Sequence, residues 1–468
     1  MAEAPWWSRS VKTLTDAYLE GRTTPVEVVD TLLSAARTCQ SGLNAFAQLA
    51  LPGSRAAAEA ATRRFANGKP LGPLDGVPIS VKDLVPVQGV PTRRGSHITP
   101  NTPAEQDAPA VARLRQAGAI VFGVTTTSEL GCSMQASNPL NGTTLHPLNP
   151  KHTPGGSSSG AAAHVAAGLG PLALASDVGG SLRVPAAYCG LVGFKGTYGA
   201  IPTVTKSVFT DYIHYGPLAR SMDDCRRLQA MLAHPDPRDP SSLWARPRPI
   251  LQLAERQVKI GWTTQLGPQV ALDPEVDAAF LQSVQLLAAQ LPTGWTLEEV
   301  DLTDVDLAEP LWTDWTARMA EAFLDAPDSL MEQLGADLQL QLKQGRLLTA
   351  RGLAHAKAQI RQQRIRLIEH FSPFDLLLTP SSPHLAPPAG QWIPPGHPLT
   401  QQMEETGNWF LPNPYTYPFN LTQQPALTLP IGKSETGLPM GLQIVGQRYQ
   451  DELVLAAGTC VEHSLTPP

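Results

Sequence analysis

The chain has 468 residues, 42% of them hydrophobic and 16% charged, with a formal net charge of −6. That apolar fraction supplies a large core, and the negative balance argues against a nucleic-acid partner by bulk electrostatics. Five scattered cysteines form no CxxC pair and no His/Cys cluster with metal-ligand spacing, which argues for a reduced, cytoplasmic protein without structural zinc.

Residues 1–9 show no basic head followed by an apolar run, so no secretory signal is expected. Residues 11–65 read as helices that pack around the core and carry no chemistry. Thr24-Pro25-Val26-Glu27 combines a capping box with proline at the first helical position. Val28, Val29, Leu32 and Leu33 then share one apolar face at helical spacing. An alanine-rich helix over 54–66 ends at Asn67-Gly68. From Leu74 short apolar strands alternate with helices: a strand at 77–81 whose far end delivers Lys82 and Asp83, a helix at 108–116, a strand at 119–123. The low-polarity run 161–175 is broken by His164, Gly168, Gly170 and Pro171 and falls short of the roughly 20 apolar residues of a membrane helix. It reads as a small-residue helix followed by a strand.

Proline-dense 235–249 reads as a surface connection, and 257–261 as a strand. Asp273-Pro274 opens a helix with Val276, Phe280, Val284 and Leu287 on one face. Residues 304–371 read as mostly helical, laid over the sheet, and 374–379 as another strand. The connection 383–418 carries Trp392, Trp409, Phe410, Tyr415 and Tyr417; a loop that long is more often functional than filler, and it reads as an apolar pocket wall. The alternation predicts the α/β class: a single large domain over 1–468, its mixed, twisted sheet covered by helices on both faces. Within it lie N-terminal helices (1–70), a core (71–230), a mostly helical excursion (231–371) and C-terminal strands with the long loop (372–468). Functional groups are expected at strand ends.

Residues 153–197 hold two Gly-Gly-Ser turns, Gly155-Gly156-Ser157 and Gly179-Gly180-Ser181, on either side of that small-residue segment. Paired glycines before a serine admit backbone angles closed to other residues and let a ligand approach the amides. One such turn is an ordinary loop; two suggest that both serines converge. Upstream stands Asp75-Gly76-Val77-Pro78-Ile79-Ser80-Val81-Lys82-Asp83, with Lys82 75 residues before Ser157 and Ser181 24 residues after it.

These segments and their intervals resemble the signature of the amidase signature family of serine hydrolases. The resemblance continues in Phe419-Asn420-Leu421-Thr422 and in 437–446, and spans roughly residues 5–460. It implies a hydrolase of carbon–nitrogen bonds other than peptide bonds, with a Ser-cisSer-Lys triad and neither cofactor nor metal. Ser181 is the expected nucleophile, which needs an adjacent base. Ser157 would bridge it to Lys82, a serine–lysine variant of triad logic. For that task the lysine must be desolvated, so that its pKa falls from about 10.4. The Gly156–Ser157 peptide bond is expected to be cis, and the amides of Val178, Gly179, Gly180 and Ser181 to form an oxyanion hole. Gly131 matches a position whose backbone lies beside the substrate. The implied substrate is a small-molecule amide, aryl or alkyl, or an aryl carbamate, with no nucleic acid or membrane as partner and homo-oligomerisation left open. Two other readings stand: the amidase subunit of a tRNA-dependent amidotransferase, and a catalytically silent binding module on the same fold.

Duller roles fit the neighbouring residues. Asp177 and Arg183 flank Ser181 and read as an ion pair that braces the turn. His164 reads as a satisfied core histidine, and Ser158 as a hydrogen-bonding residue behind the triad. Gly156-Ser157-Ser158-Ser159-Gly160 also matches the nucleophile elbow Gly-x-Ser-x-Gly. That elbow needs an entering strand, and the prolines of 147–154 exclude one. Three residues depart from the family pattern: Ser159, Gly196 and Gln423.

Overall fold

Side chains that alternate between two faces build the centre of this molecule. The computed structural model describes residues 4–205, 207–242, 256–268 and 270–465; residues 1–3 of the opening segment and 243–249 of the expected connection lie outside them. Its strands are β1 (Phe46–Leu49), β2 (Pro78–Lys82), β3 (Ile120–Thr125), β4 (Ser137–Asn138), β5 (Gly142–Thr143), β6 (Leu172–Asp177), β7 (Val192–Lys195), β8 (His214–Ala219), β9 (Val258–Trp262), β10 (Trp295–Glu299), β11 (Leu376–Pro380), β12 (Ala426–Lys433) and β13 (Pro439–Gly446). β4 and β5 pair with each other, and the rest form one 11-stranded sheet in the order β1-β3-β2-β6-β8-β7-β12-β13-β11-β9-β10. β2 runs parallel to β3 and β6, β9 runs parallel to β10 and β11, and the remaining pairs are antiparallel.

In β6, Leu172 and Leu174 enter one core while Ala173 and Ala175 enter the other, the period-two alternation of a strand buried on both sides. Helices Pro109–Gln116, Met222–Leu232, Pro274–Gln290 and Asp451–Leu465 cover the first face. Helices Pro25–Leu43, Ser159–Ala166, Arg183–Cys189 and Ala308–Ala322 cover the second. The expected single-domain α/β architecture with a mixed, twice-covered sheet is the one observed. The capping box forms as read: the Glu27 amide donates to Thr24 Oγ1 at 3.2 Å and the Thr24 amide to Glu27 Oε2 at 2.9 Å.

Three expectations need correction. Residues 11–65 are not helical throughout, because Asn44 at φ +49 ends helix Pro25–Leu43 and releases the chain into edge strand β1. The excursion 231–371 contributes β10 as well as the expected strand β9; only Trp295 is buried in β10, too little alternation to announce it. The aromatic load of 383–418 is mostly core: Trp409, Phe410, Tyr415 and Tyr417 are buried in one cluster with helix Ala308–Ala322. No helix among the described residues is long and apolar enough to cross a membrane.

Candidate active site

Parallel neighbours β2 and β6 end at the same edge of the sheet, the edge where ligands sit in such folds. Lys82 is the last residue of β2, and Asp177 the last of β6, followed directly by Val178-Gly179-Gly180-Ser181. Ser157 reaches the same edge just ahead of helix Ser159–Ala166. That helix comes very close to its neighbours: a Cβ on Gly160 would stand 2.1 Å from the Ala45 carbonyl oxygen, so any larger residue would push it away. The Gly156–Ser157 peptide bond is cis.

Lys82 is fully buried. Its Nζ lies 2.7 Å from Ser157 Oγ, 2.9 Å from Ser158 Oγ and 3.5 Å from the Ser176 carbonyl oxygen. Ser158 in turn donates to that carbonyl at 3.1 Å, and its amide donates to the Ser181 carbonyl at 3.2 Å, tying the two Gly-Gly-Ser turns together. Ser158 therefore stands behind the lysine as a hydrogen-bonding support. Among the described residues no carboxylate bonds to Nζ. Burial outweighs the attraction of Asp177 and Cys132 and pulls the amine down to about 7. Burial of the Cys132 thiol itself pushes it up to about 12.

The Ser181 turn is braced from below. Arg183 Nε and Nη2 donate to the two Asp177 oxygens at 3.0 and 2.9 Å. Its remaining hydrogens go to the Thr416 carbonyl at 2.8 Å, Gln443 Oε1 at 2.7 Å and Asn420 Oδ1 at 2.7 Å. Asn420 Nδ2 donates back to Asp177 Oδ1 at 2.9 Å. Burial alone would push the Asp177 carboxyl up, but the guanidinium beside it holds it below the usual carboxylate range. The predicted ion pair is thus present, and its wider network was not foreseen.

One oxyanion donor has another task. The Gly180 amide donates to Asp177 Oδ1 at 2.8 Å, so it is turned into the brace. The amides of Val178, Gly179 and Ser181 make no hydrogen bond among the described residues and remain able to meet an oxyanion. Gly180 itself is required by shape: at φ +127, a Cβ would stand 2.3 Å from Thr416 Oγ1, which donates to the Gly179 carbonyl at 2.7 Å.

Gly131 lies beside Ser157, where a Cβ would come 3.6 Å from Ser157 Oγ. Its turn is anchored to the strand that carries the lysine. Asp83 accepts the amides of Arg93 at 2.9 Å and Gly95 at 3.2 Å, and the Arg94 carbonyl accepts the Leu130 amide at 2.8 Å. A cavity of about 290 Å³, walled by Leu340, Trp392, Ile393 and Met403, adjoins the Cys132–Ser133 segment, to which its lining residues Gln341 and Asp337 bond. Trp409 closes over the second turn, 2.9 Å from the position of a Gly179 Cβ. His164 lies away from this chemistry, a buried histidine bonded to Ser80 Oγ at 2.6 Å and to the Leu169 carbonyl at 2.8 Å.

Sequence reasoning missed Thr416 and the carbonyl of Ser176, and gave no role to Asn420 or Gln443. The last two lie in the C-terminal segments that carried the resemblance, which was the available signal. Of the three departures, Gln423 has a structural meaning: it sits at φ +62, where glycine is unstrained. Ser159 is buried with an unpartnered hydroxyl.

Comparison with known proteins extends this geometry. The Amidase family model matches residues 27–455. The chain is 30% identical to a glutamyl-tRNA(Gln) amidotransferase subunit of Lachnospira eligens, over 95% of each chain. It is 32% identical to an acylamidase of Rhodococcus erythropolis, over 92% of this chain and 90% of that one. The crystal structure of a bacterial aryl acylamidase of the amidase signature enzymes superposes with a TM-score of 0.85 at 25% identity, covering 98% of this chain and 97% of that one.

Proposed function

The chain belongs to the amidase family, hydrolases of carbon–nitrogen bonds other than peptide bonds, and we propose that it cleaves small aryl or alkyl amides, and aryl carbamates, through an acyl-enzyme on Ser181. The observation that carries the reading is Lys82: a fully buried amine, with no carboxylate partner among the described residues, 2.7 Å from Ser157 Oγ. A lysine in that state is a base.

Ser181 Oγ attacks the substrate carbonyl, its proton passes to Ser157, and the Ser157 proton passes to Lys82 Nζ. The oxyanion accepts the amides of Val178, Gly179 and Ser181; losing one such donor costs about 10²–10³ in turnover. Collapse of the tetrahedral intermediate breaks the C–N bond, and the leaving amine takes a proton from Lys82 through Ser157. Water then attacks the acyl-Ser181 ester by the same route and releases the acid. Trp392 and Trp409 favour an apolar substituent on the amide. Ser181→Ala should lower kcat/KM by at least about 10⁴-fold with an unchanged melting curve, and a fluorophosphonate should label Ser181 in the wild type. A covalent adduct on Ser157 or Ser158 instead would overturn the assignment, and no adduct anywhere would favour the silent binding module.

The reading as part of an amidotransferase draws on the 30% identity to such a subunit over nearly the whole chain. Co-purification with partner subunits, together with hydrolysis of glutamine, would establish that reading.

A further inference from the structure

The cavity that adjoins the Cys132–Ser133 segment is one-sided in charge. Its walls are apolar, and the ionisable groups among the described residues that line it are Asp337 and Glu404, with no lysine, arginine or histidine. Asp337 is steadied through Oδ2, which accepts from Ser133 Oγ at 3.2 Å, and its Oδ1 has no hydrogen-bond partner among the described residues. Gln341, also in the lining, has both ends of its amide engaged: Oε1 accepts from Trp315 Nε1 at 2.9 Å, and Nε2 donates to the Cys132 carbonyl at 3.0 Å. Gln391 and Thr400 add neutral polar groups, so the charged chemistry of this space is carboxylate.

Both borders of the cavity lead to the reacting groups. Cys132 and Ser133, bonded to Gln341 and Asp337, continue into Gln135, whose carbonyl oxygen would stand 2.6 Å from a Cβ on Gly156. On the other side Gly407 lines the cavity, and two residues later Trp409 packs against Gly179.

We infer that this cavity receives the tail of an amide substrate that ends in a protonated amine on an apolar spacer, an inference that rests on the hydrolase reading above. The spacer lies against Leu340, Trp392, Ile393 and Met403, where burial of methylene groups is favourable. The ammonium meets Asp337 and Glu404, and in a partly enclosed site such attraction is less screened than on an open surface. A carboxylate tail meets two like charges.

The test compares a neutral amide with analogues that carry a terminal ammonium or a terminal carboxylate, placed in turn on the acyl side and on the amine side. On one of the two sides the ammonium analogue should exceed the carboxylate analogue at least ten-fold in kcat/KM, chiefly through KM. That ratio should shrink as ionic strength rises in the wild type, and again in Glu404→Gln and Asp337→Asn. Turnover of the panel with the carboxylate analogues equal or better on both sides would overturn this inference and leave the hydrolase intact. Absence of all turnover, with Ser181 unlabelled by a fluorophosphonate, would overturn both.

Discussion

Arg183 and Lys82 are both fully buried cations at one edge of the sheet, and the chain treats them in opposite ways. Arg183 receives a carboxylate, two side-chain carbonyl oxygens and a main-chain carbonyl. Lys82 receives two hydroxyls and one distant carbonyl. Arginine cannot be deprotonated in a protein and so must be paired when buried. Lysine can shed its charge instead, and burial without a partner makes it do so. Equal burial thus gives a brace in one case and the proposed base in the other, and the difference lies in the partners.

Exchanging the chemistry of the two residues should break this contrast most severely at Lys82. Lys82→Arg keeps a permanent charge beside Ser157 and should lower kcat/KM by at least about 10⁴-fold, while Lys82→Ala should regain a trace of activity at high pH from hydroxide. Near-normal turnover in Lys82→Arg would show that the lysine only supports the strand end. At the other cation, Arg183→Lys breaks the fork onto Asp177 and should cost about 3–5 kcal/mol of stability, read from urea unfolding. A loss below about 1 kcal/mol would show that the pair braces nothing.

The pH dependence sharpens the same comparison. Lys82 sits at about 7, below its ordinary value, so the ammonium dominates on the acid side and the amine on the alkaline side. If the amine is the base, as proposed, kcat/KM should rise by about ten-fold per pH unit up to about 7 and then level off. Asp83, pushed up by burial to about 7 although the Gly95 and Arg93 amides favour its ionised form, titrates in the same range. The limb should therefore persist in Asp83→Asn; its disappearance there would move the assignment from lysine to aspartate. The smallest effect belongs to Thr416. Thr416→Val loses the bond to the Gly179 carbonyl and should cost about 1 kcal/mol with a several-fold drop in kcat, and Thr416→Ser should restore both.

What the sequence disclosed follows chain proximity. Asp177, Ser181 and Arg183 lie within one turn, and their local chemistry was readable from neighbouring residues. Lys82 and the two serines were readable because each Gly-Gly-Ser turn is its own signal and their spacing matched a family. Thr416, Asn420 and Gln443 were not, since they reach Arg183 across 233, 237 and 260 residues. The Gly180 amide was misassigned for a related reason: a motif counts donors, and only the Asp177 carboxylate shows which one has turned inward. Strand β10 escaped because four of its five residues are not buried, and the aromatics of 383–418 misled because helix Ala308–Ala322, to which four of them belong by packing, is far away in sequence.

The long reach of Arg183 also sets the order in which the enzyme becomes one during synthesis. By the time Ser181 leaves the ribosome, every side chain of the Lys82–Ser157–Ser181 set has been made, and so has Asp177, yet the three other acceptors of Arg183 begin only at Thr416. A nascent or prematurely ended chain therefore carries the reactive residues without the frame that holds them, and it should be inert towards amides. Competence is expected to arrive late, with the C-terminal strands. An engineered split of the chain between β11 and β12 would give two silent halves whose reunion switches on hydrolysis, a direct reporter of their association.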